Sequence, residues 1–317
     1  MTFQEKRKEF EKNNNPNESV LLTFIGVDGF DVYNCSIPFE WQGETYIYGR
    51  VEHRDQWARS WSRLFKKTGK DEFTLVKDSM IYRMEDPFVS LIQGEIVLGG
   101  TAVKNMQKEI ANLWDDFYRG TDLEDMFYFT TGPDNMKDIR LVDMGDRIGV
   151  FSRPRGEDIE KKYGSGSVVG YTEIKSLEEL TPDIIEAAPP IDGLFQDGEW
   201  GGCNQCYRLD TGYIGIIGHK SYKDIGEDGT DLSVYTNVSW VYDPKTGKCL
   251  DEKIIATRPS YPAGPAKVPS LIDCTFTSGI VMREDGKADL YGGLGDTMEG
   301  RIIIDNPFEG FGKIMGW

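Results

Sequence analysis

"RMEDPFVSLIQGEIVLGG", residues 83–100, has the form of a β-hairpin: an alternating run, a turn at Gln93-Gly94, and a return run ending on two glycines. Asp and Pro are depleted in strand interiors, so Asp86-Pro87 belongs at the first strand's opening. That places a carboxylate and the small residues closing the partner strand on one edge of the hairpin.

The same form recurs along the chain. Apolar strands ending in a small residue and then a polar one read "ETYIYGR" (44–50), "EIVLGGT" (95–101), "RIGVFSR" (147–153), "YIGIIGH" (213–219) and "ADLYGGLGD" (288–296). Each follows a shorter strand with a polar opening, respectively "DVYNCSIPF", "MEDPFVSLI", "KDIRLVD", "NQCYRLD" and "DCTFTSGIV". Five such units predict an all-β fold, a five-bladed β-propeller with short helical insertions, over residues 20–317. Residues 1–19 form a polar N-terminal extension. An irregular β-sandwich is the competing arrangement, because regularly spaced turns are expected there too. Helices are expected over 2–12, ended by "NNNPN", and from Thr181-Pro182 within "SLEELTPDIIEAAPP" (176–190). The spacing in "AVKNMQKEIANLWDDFYRG" (102–120) also suits an amphipathic helix.

The 317 residues are 39% hydrophobic, enough for a real core. Asp and Glu number 53 against 36 Lys and Arg, a net charge of −17, which argues against nucleic acid and anionic membranes as partners. An anionic ligand must then be met by a local cluster of cations. No run approaches the roughly 18 apolar residues of a membrane span, and charges occupy the start where a secretory signal needs an apolar run. The five cysteines are scattered, with "CNQC" the one close pair, as expected of reduced thiols in a cytoplasmic protein. Two histidines and dispersed carboxylates define no metal site.

In a propeller the polar strand ends of all blades meet around one axis. That gathers Asp31, Asn34 and Arg50 from the first unit and Asp86 from the second. The third adds Lys137, Arg153 and Arg155, the fourth Asn204, Gln205 and His219, and the fifth Asp273 and Asp296. His53 and His219, the two histidines, both follow such strands. Taken singly, each has a structural alternative: an arginine paired with a neighbour, a buried histidine, an Asp-Pro turn. Together they can orient a polyhydroxylated ligand, with Trp41, Tyr46, Tyr48, Trp57, Trp61, Trp200 and Tyr291 available to sugar faces. A carboxylic acid with its pKa raised by burial can protonate a departing glycosidic oxygen. Lys137, Arg153 and His219 can hold an anion that attacks from the opposite face. If water attacks instead, a second carboxylate such as Asp31 or Asp273 must serve as base.

"MEDPF", "KDIRLVDMGDRIGVFSRPRG", "YIGIIGHKSY" and "DLYGGLGDTMEGR" resemble, in order, the blade motifs of glycoside hydrolase family 130, the mannoside phosphorylases. With "WGGCNQCYRLDTGYIGIIGHKSY" included, the chain more closely resembles the mannosyltransferase/phosphorylase family, five-bladed propellers of Leishmania and bacteria. The resemblance implies Asp86 as general acid, acting through a sugar hydroxyl, and Asn34, Arg50 and Asp296 around the donor mannose. It implies Lys137, Arg153 and His219 around phosphate, and Asn204 and Gln205 at a blade-four substrate position; Asp273 is grouped with the substrate-binding residues. The expected activity is inverting β-1,2-mannoside phosphorolysis or mannosyl transfer, reversible, on β-manno-oligosaccharides with release of mannose 1-phosphate. Inorganic phosphate is the co-substrate, no cofactor is expected, and a nucleotide sugar is an alternative donor. Phe88 where those phosphorylases commonly have arginine, and "GHK" for their "YHG", alter the expected phosphate contacts. A hydrolase and a non-catalytic carbohydrate-binding propeller are the alternatives.

Overall fold

The computed structural model describes residues 1–317 apart from 15, 17, 107 and 108. The chain begins with α1 (Phe3–Asn13), closed at its start by a capping box in which Glu5 N donates to the Thr2 hydroxyl and Thr2 N to the Glu5 carboxylate. The strands β1 (Ser19–Leu21) and β2 (Thr23–Ile25) follow. Blade one holds β3 (Asp31–Tyr33), β4 (Phe39–Trp41), β5 (Glu44–Glu52), β6 (Trp61–Gly69) and β7 (Glu72–Leu75), with β2 lying parallel to β7. Blade two is β8 (Glu85–Ile92), β9 (Glu95–Met106), β10 (Glu109–Gly120) and β11 (Phe127–Thr131). Blade three has β12 (Arg140–Asp143), β13 (Ile148–Ser152) and β14 (Gly170–Ile174), with α2 (Glu157–Tyr163) inserted before β14 and α3 (Pro182–Glu186) after it. Blade four is β15 (Glu199–Arg208), β16 (Ile214–Ile225), β17 (Asp231–Asp243) and β18 (Lys248–Ala256). Blade five is β19 (Thr275–Met282), β20 (Ala288–Leu294) and β21 (Met298–Ile304), completed on its outside by β1. The fold is a five-bladed β-propeller. Among the described residues no helix is long and apolar enough to cross a membrane.

The glycines closing the second strands of blades one, two and four, Gly49, Gly99 and Gly218, have a packing cause. A Cβ on Gly99 would fall 2.2 Å from the Phe88 ring, and one on Gly218 would fall 2.4 Å from the Gly202 carbonyl oxygen. Inner and second strands cross too closely there for a side chain. The cores lie between blades: Phe88, Ile92 and Val97 of blade two pack with Leu141, Ile148 and Val150 of blade three, and each later junction has its own layer. Across the axis, Gln205 Nε2 in β15 donates to the Val89 carbonyl in β8 at 3.0 Å, tying blade four to blade two.

The helix expected from Thr181-Pro182 forms as α3, with the Thr181 hydroxyl accepting from Ile184 N. The segment 102–120 is not a helix. Apart from 107 and 108, which lie outside the described residues, it forms the β9–β10 hairpin, with Trp114 opposite Ala102. Leu113, Asp115 and Phe117 alternate inward. Asp115 hides that period of two because it is a buried carboxylate at an inward position, satisfied by the Thr101 hydroxyl at 2.9 Å and Ile139 N at 2.7 Å.

Ring closure depends on β1, which pairs Val20 with Arg301 and Leu21 with Gly300. Arg301 is buried and bonds Asp289 at 2.8 Å within its blade, Asp71 of blade one at 2.7 Å, and Glu18 beside β1. Arg301→Ala leaves three carboxylates facing one another and is expected to cost about 3 kcal/mol. Urea unfolding measures it; an unchanged midpoint would mean that closure rests on the β1 backbone alone.

Candidate active site

Asp86 stands in the left-handed region, with φ 53, where β8 skips register against β9 between Glu85 and Phe88. Three more residues share that conformation at the same mouth: Asn34 (φ 46), Asp138 (φ 60) and Asp296 (φ 55). Asn and Asp enter this region at least cost among residues with a Cβ. Asn34 follows β3, Asp138 precedes β12 and Asp296 follows β20, so four blades each turn one short polar side chain inward by local backbone reversal. The Asp-Pro opening of the 83–100 hairpin is thus a bulge that stops pairing and re-aims a carboxylate.

These residues line a cavity of about 1400 Å³ at the axial mouth, together with Arg50, Glu85, Lys137, Arg153, Arg155 and His219. Trp57, Trp200, Tyr235 and Phe276 supply aromatic wall. On one side, Arg50 is wedged among carboxylates: Asp86 at 2.9 Å, Glu85 at 2.6 Å and Glu52 at 3.1 Å. Its Nε donates to the Ser60 hydroxyl at 2.9 Å, and its guanidinium lies over the Tyr33 ring. Glu52 is itself fixed by the Tyr33 hydroxyl and Lys267. Asn34 Nδ2 donates to Asp86 at 2.9 Å and to Asp296 at 3.4 Å. Lys137 Nζ lies 3.5 Å from the other Asp86 oxygen. On the other side, Arg153 bonds Asp138 at 2.7 Å and the Gly201 carbonyl at 2.5 Å. His219 Nδ1 lies 2.8 Å from Asn204 Oδ1, and its ring stacks on Tyr235.

Burial and charge separate the proton affinities of these groups. Burial pushes the Asp86 carboxyl up, but Arg50 and Lys137 outweigh it and hold the group below its ordinary range. Its neighbour Glu85 is pushed up to about 7 by burial, only partly opposed by Arg50. Asp296 is raised, chiefly by burial. Burial also pushes Asp138 up, yet Arg153, Lys137 and Arg140 depress it on balance. His219 is lowered to about 3 by burial and then by Arg153. It is therefore a neutral imidazole, and the positive charge of the anion-facing side comes from Lys137, Arg153 and Arg155. Burial lowers Lys137, but Asp138, Asp86 and Glu85 more than restore its charge. Asn34 Oδ1 and Asp138 Oδ1 are buried acceptors with no hydrogen-bond partner among the described residues, suited to ligand hydroxyls.

Of the residues singled out from sequence, Asn34, Arg50, Asp86, Lys137, Arg153, His219 and Asp296 line this one cavity. Three do not. Asp273 points to the N-terminal helix, where its carboxylate takes Arg7 at 2.6 Å. Gln205 lies beside a bulge within β15 and is spent on the axial bond to Val89. Asn204 stands behind His219 and gives its carbonyl to Arg140 at 2.6 Å, so it orients the ring rather than facing the cavity. Asp31 pairs with Arg54 at 2.7 Å, and His53 rests against Phe30. Glu85 and Asp138 were missed as site residues, although they neighbour Asp86 and Lys137 within "MEDPF" and "KDIR".

Fold and site together define a five-bladed propeller whose axial pocket offers carboxylates and cations to a hydroxylated, anionic set of ligands. The model of the family described as "Protein of unknown function (DUF1861)" matches residues 8–310, and the chain belongs to that family. It is 50% identical to a mannose phosphorylase from Leishmania mexicana solved in complex with phosphate ion, with TM-score 0.93 over 99% of this chain and 96% of that one. It is 48% identical to a GDP-Man-dependent mannosyltransferase from Leishmania mexicana, with TM-score 0.92 over 99% of this chain and 97% of that one. A glycosyl hydrolase from Bacteroides ovatus shares the fold at 14% identity, with TM-score 0.60 over 92% of this chain and 97% of that one. No curated protein matches the chain.

The Arg7–Asp273 pair gives Asp273 a structural role that can be checked. Asp273→Asn is expected to cost about 1–3 kcal/mol in urea unfolding and to open α1 to limited proteolysis. Wild-type stability and an equally protected α1 would show the pair to be idle.

Proposed function

We propose that the protein is an inverting β-mannoside phosphorylase, acting reversibly on β-1,2-linked manno-oligosaccharides with phosphate and mannose 1-phosphate. The observation that carries this is the joining of acid and anion cradle in one cavity. Asp86 lies 3.5 Å from Lys137, in the cavity that Arg153, Arg155 and His219 also line. The mannosyl unit sits among Arg50, Asn34 and Asp296. Asp86 delivers a proton through a bound sugar hydroxyl to the leaving oxygen, and the phosphate held by Lys137, Arg153, Arg155 and His219 attacks the anomeric carbon from the opposite face. The glycosidic C–O bond breaks as the bond to phosphate oxygen forms, and the anomeric configuration inverts. In reverse, the Asp86 carboxylate takes the proton from the acceptor hydroxyl.

The 50%-identical relative solved with a phosphate ion supports this choice. The 48%-identical mannosyltransferase favours a second donor, a nucleotide-linked mannose, at the same site, where an ionised Asp86 serves as the base. Water as nucleophile is less well served: Asp31 and Asp273 both lie away from the cavity, and Asp138 is engaged by Arg153. No cofactor is required beyond inorganic phosphate. The described cysteines are all unpaired, which accords with a reducing, cytoplasmic setting.

Incubation with β-1,2-mannobiose is expected to release mannose 1-phosphate only when phosphate is present. Asp86→Asn should lower the rate by roughly 10²- to 10⁴-fold. Free mannose formed equally fast without phosphate would overturn the proposal. The pH profile gives an independent check. Glu85, pushed up to about 7, shares Arg50 with Asp86, so the pair holds its proton below that pH and loses it above. Phosphorolysis should therefore decline as pH rises through about 7, and Glu85→Gln should remove that limb. An unchanged limb in Glu85→Gln would assign it to another group.

A further inference from the structure

A second cavity, of about 550 Å³, opens in the cleft between blades one and two, at the mouth face and one strand further from the axis. Its lining includes Gln56, Arg59, Ser60, Trp61, Arg83 and Glu85. Arg59 and Arg83 are exposed, and among the described residues neither guanidinium has an ion-pair or hydrogen-bond partner. In a chain with 53 acidic and 36 basic residues, two unpaired arginines sharing one cavity form a local exception to the overall charge. Beside them Trp61 is 38% exposed, with its ring meeting Phe30 in an edge contact at 6.3 Å. An arginine pair fits the oxygens of a phosphate dianion by forked, charge-assisted bonds, and an open indole face fits the apolar face of a pyranose. The volume falls in the range of small-ligand sites, roughly 300–1,000 Å³.

The cavity is also wired to the main site. Ser60 and Glu85 line it and both bond Arg50, at 2.9 Å and 2.6 Å. The backbone of the loop carrying Arg59 is tied to the same cluster, since Arg59 N donates to Glu52 at 2.8 Å. A ligand that draws Arg59 and Arg83 together therefore bears on the groups that set Arg50.

We propose that this cavity is a second binding site, for a hexose phosphate, whose occupancy is read at the active site through Ser60, Glu85 and Arg50. Its phosphate lies between Arg59 and Arg83 and its ring against Trp61. The effect on turnover rests on the phosphorylase function proposed above; the binding does not.

Isothermal titration of the full chain with mannose 1-phosphate, inorganic phosphate and mannose tests it without turnover. Wild-type protein should show a mannose 1-phosphate site that survives Arg153→Ala but weakens at least tenfold in Arg59→Ala/Arg83→Ala, with basal turnover kept in the double variant. Trp61→Ala should weaken the same site for mannose 1-phosphate and leave its inorganic phosphate affinity unchanged. If the double alanine variant melts early, Arg59→Gln/Arg83→Gln replaces it and must show the same loss. Mannose 1-phosphate binding that is abolished by Arg153→Ala, or indifferent to both arginine double variants, overturns the site. Inorganic phosphate binding there as tightly as the sugar phosphate overturns the sugar component.

Discussion

Arg50 is the constraint on which the pocket depends. Its residue is 5% exposed, and it holds three carboxylates, two from blade two and one from its own strand. A buried guanidinium is tolerated only when its donors are met, and removing a partner strands a charge away from water. The carboxylates depend on it in turn: Asp86 and Glu85 are adjacent and buried, and Arg50 opposes the rise in proton affinity that burial gives both. The cluster therefore joins blade one to blade two at the mouth, while Lys267 and Tyr33 hold Glu52 from behind. Four residues at left-handed φ persist around the cavity because the surrounding structure fixes them, as strained backbone at a site requires.

That concentration of charge and strain is offset elsewhere. Large aliphatic and aromatic clusters fill the inter-blade layers, and their burial is the main favourable term of the fold. Closing the ring adds β1 from the N-terminus to the last blade, so the two ends of the propeller stabilise each other. Gln205 adds a bond from blade four to blade two. Chemistry at one end of a strand and packing along the rest of it are separable, and the hairpin motif carries both.

The hairpins were legible because strand periodicity and turn residues are local signals, and "QG" or "DTG" between alternating runs has one common outcome. The ends of those strands were legible for the same reason: Arg50, Arg153 and His219 close second strands, Asp86 opens a first strand on the same edge of its hairpin, and all four meet in one cavity. What was not legible depends on partners distant in sequence. Asp273 resembles a mouth residue until Arg7, 266 positions away, claims it. Gln205 resembles a sugar ligand until the bulge in β15 turns it toward Val89. Asp115 disguises a strand because its burial is satisfied by Ile139 N from blade three, which the local pattern does not show.

The proton arithmetic of Asp86 and Glu85 bears on direction as well as rate. Two carboxyls on one guanidinium behave as a coupled pair, and near neutrality the environment assigns the proton mainly to Glu85. Asp86 is then the ionised member, the form that the proposed reaction needs to join an acceptor to an activated mannose. Lys137 helps keep it so from 3.5 Å. On the proposed reaction, phosphate arriving at Lys137 and Arg153 brings negative charge beside Asp86 and cancels part of that influence, so the proton affinity of Asp86 rises as the co-substrate binds. Phosphate thereby supplies the nucleophile and also favours the acid form that its attack requires, and its departure restores the base. On that proposal one carboxylate serves both directions because the bound ligand shifts its state.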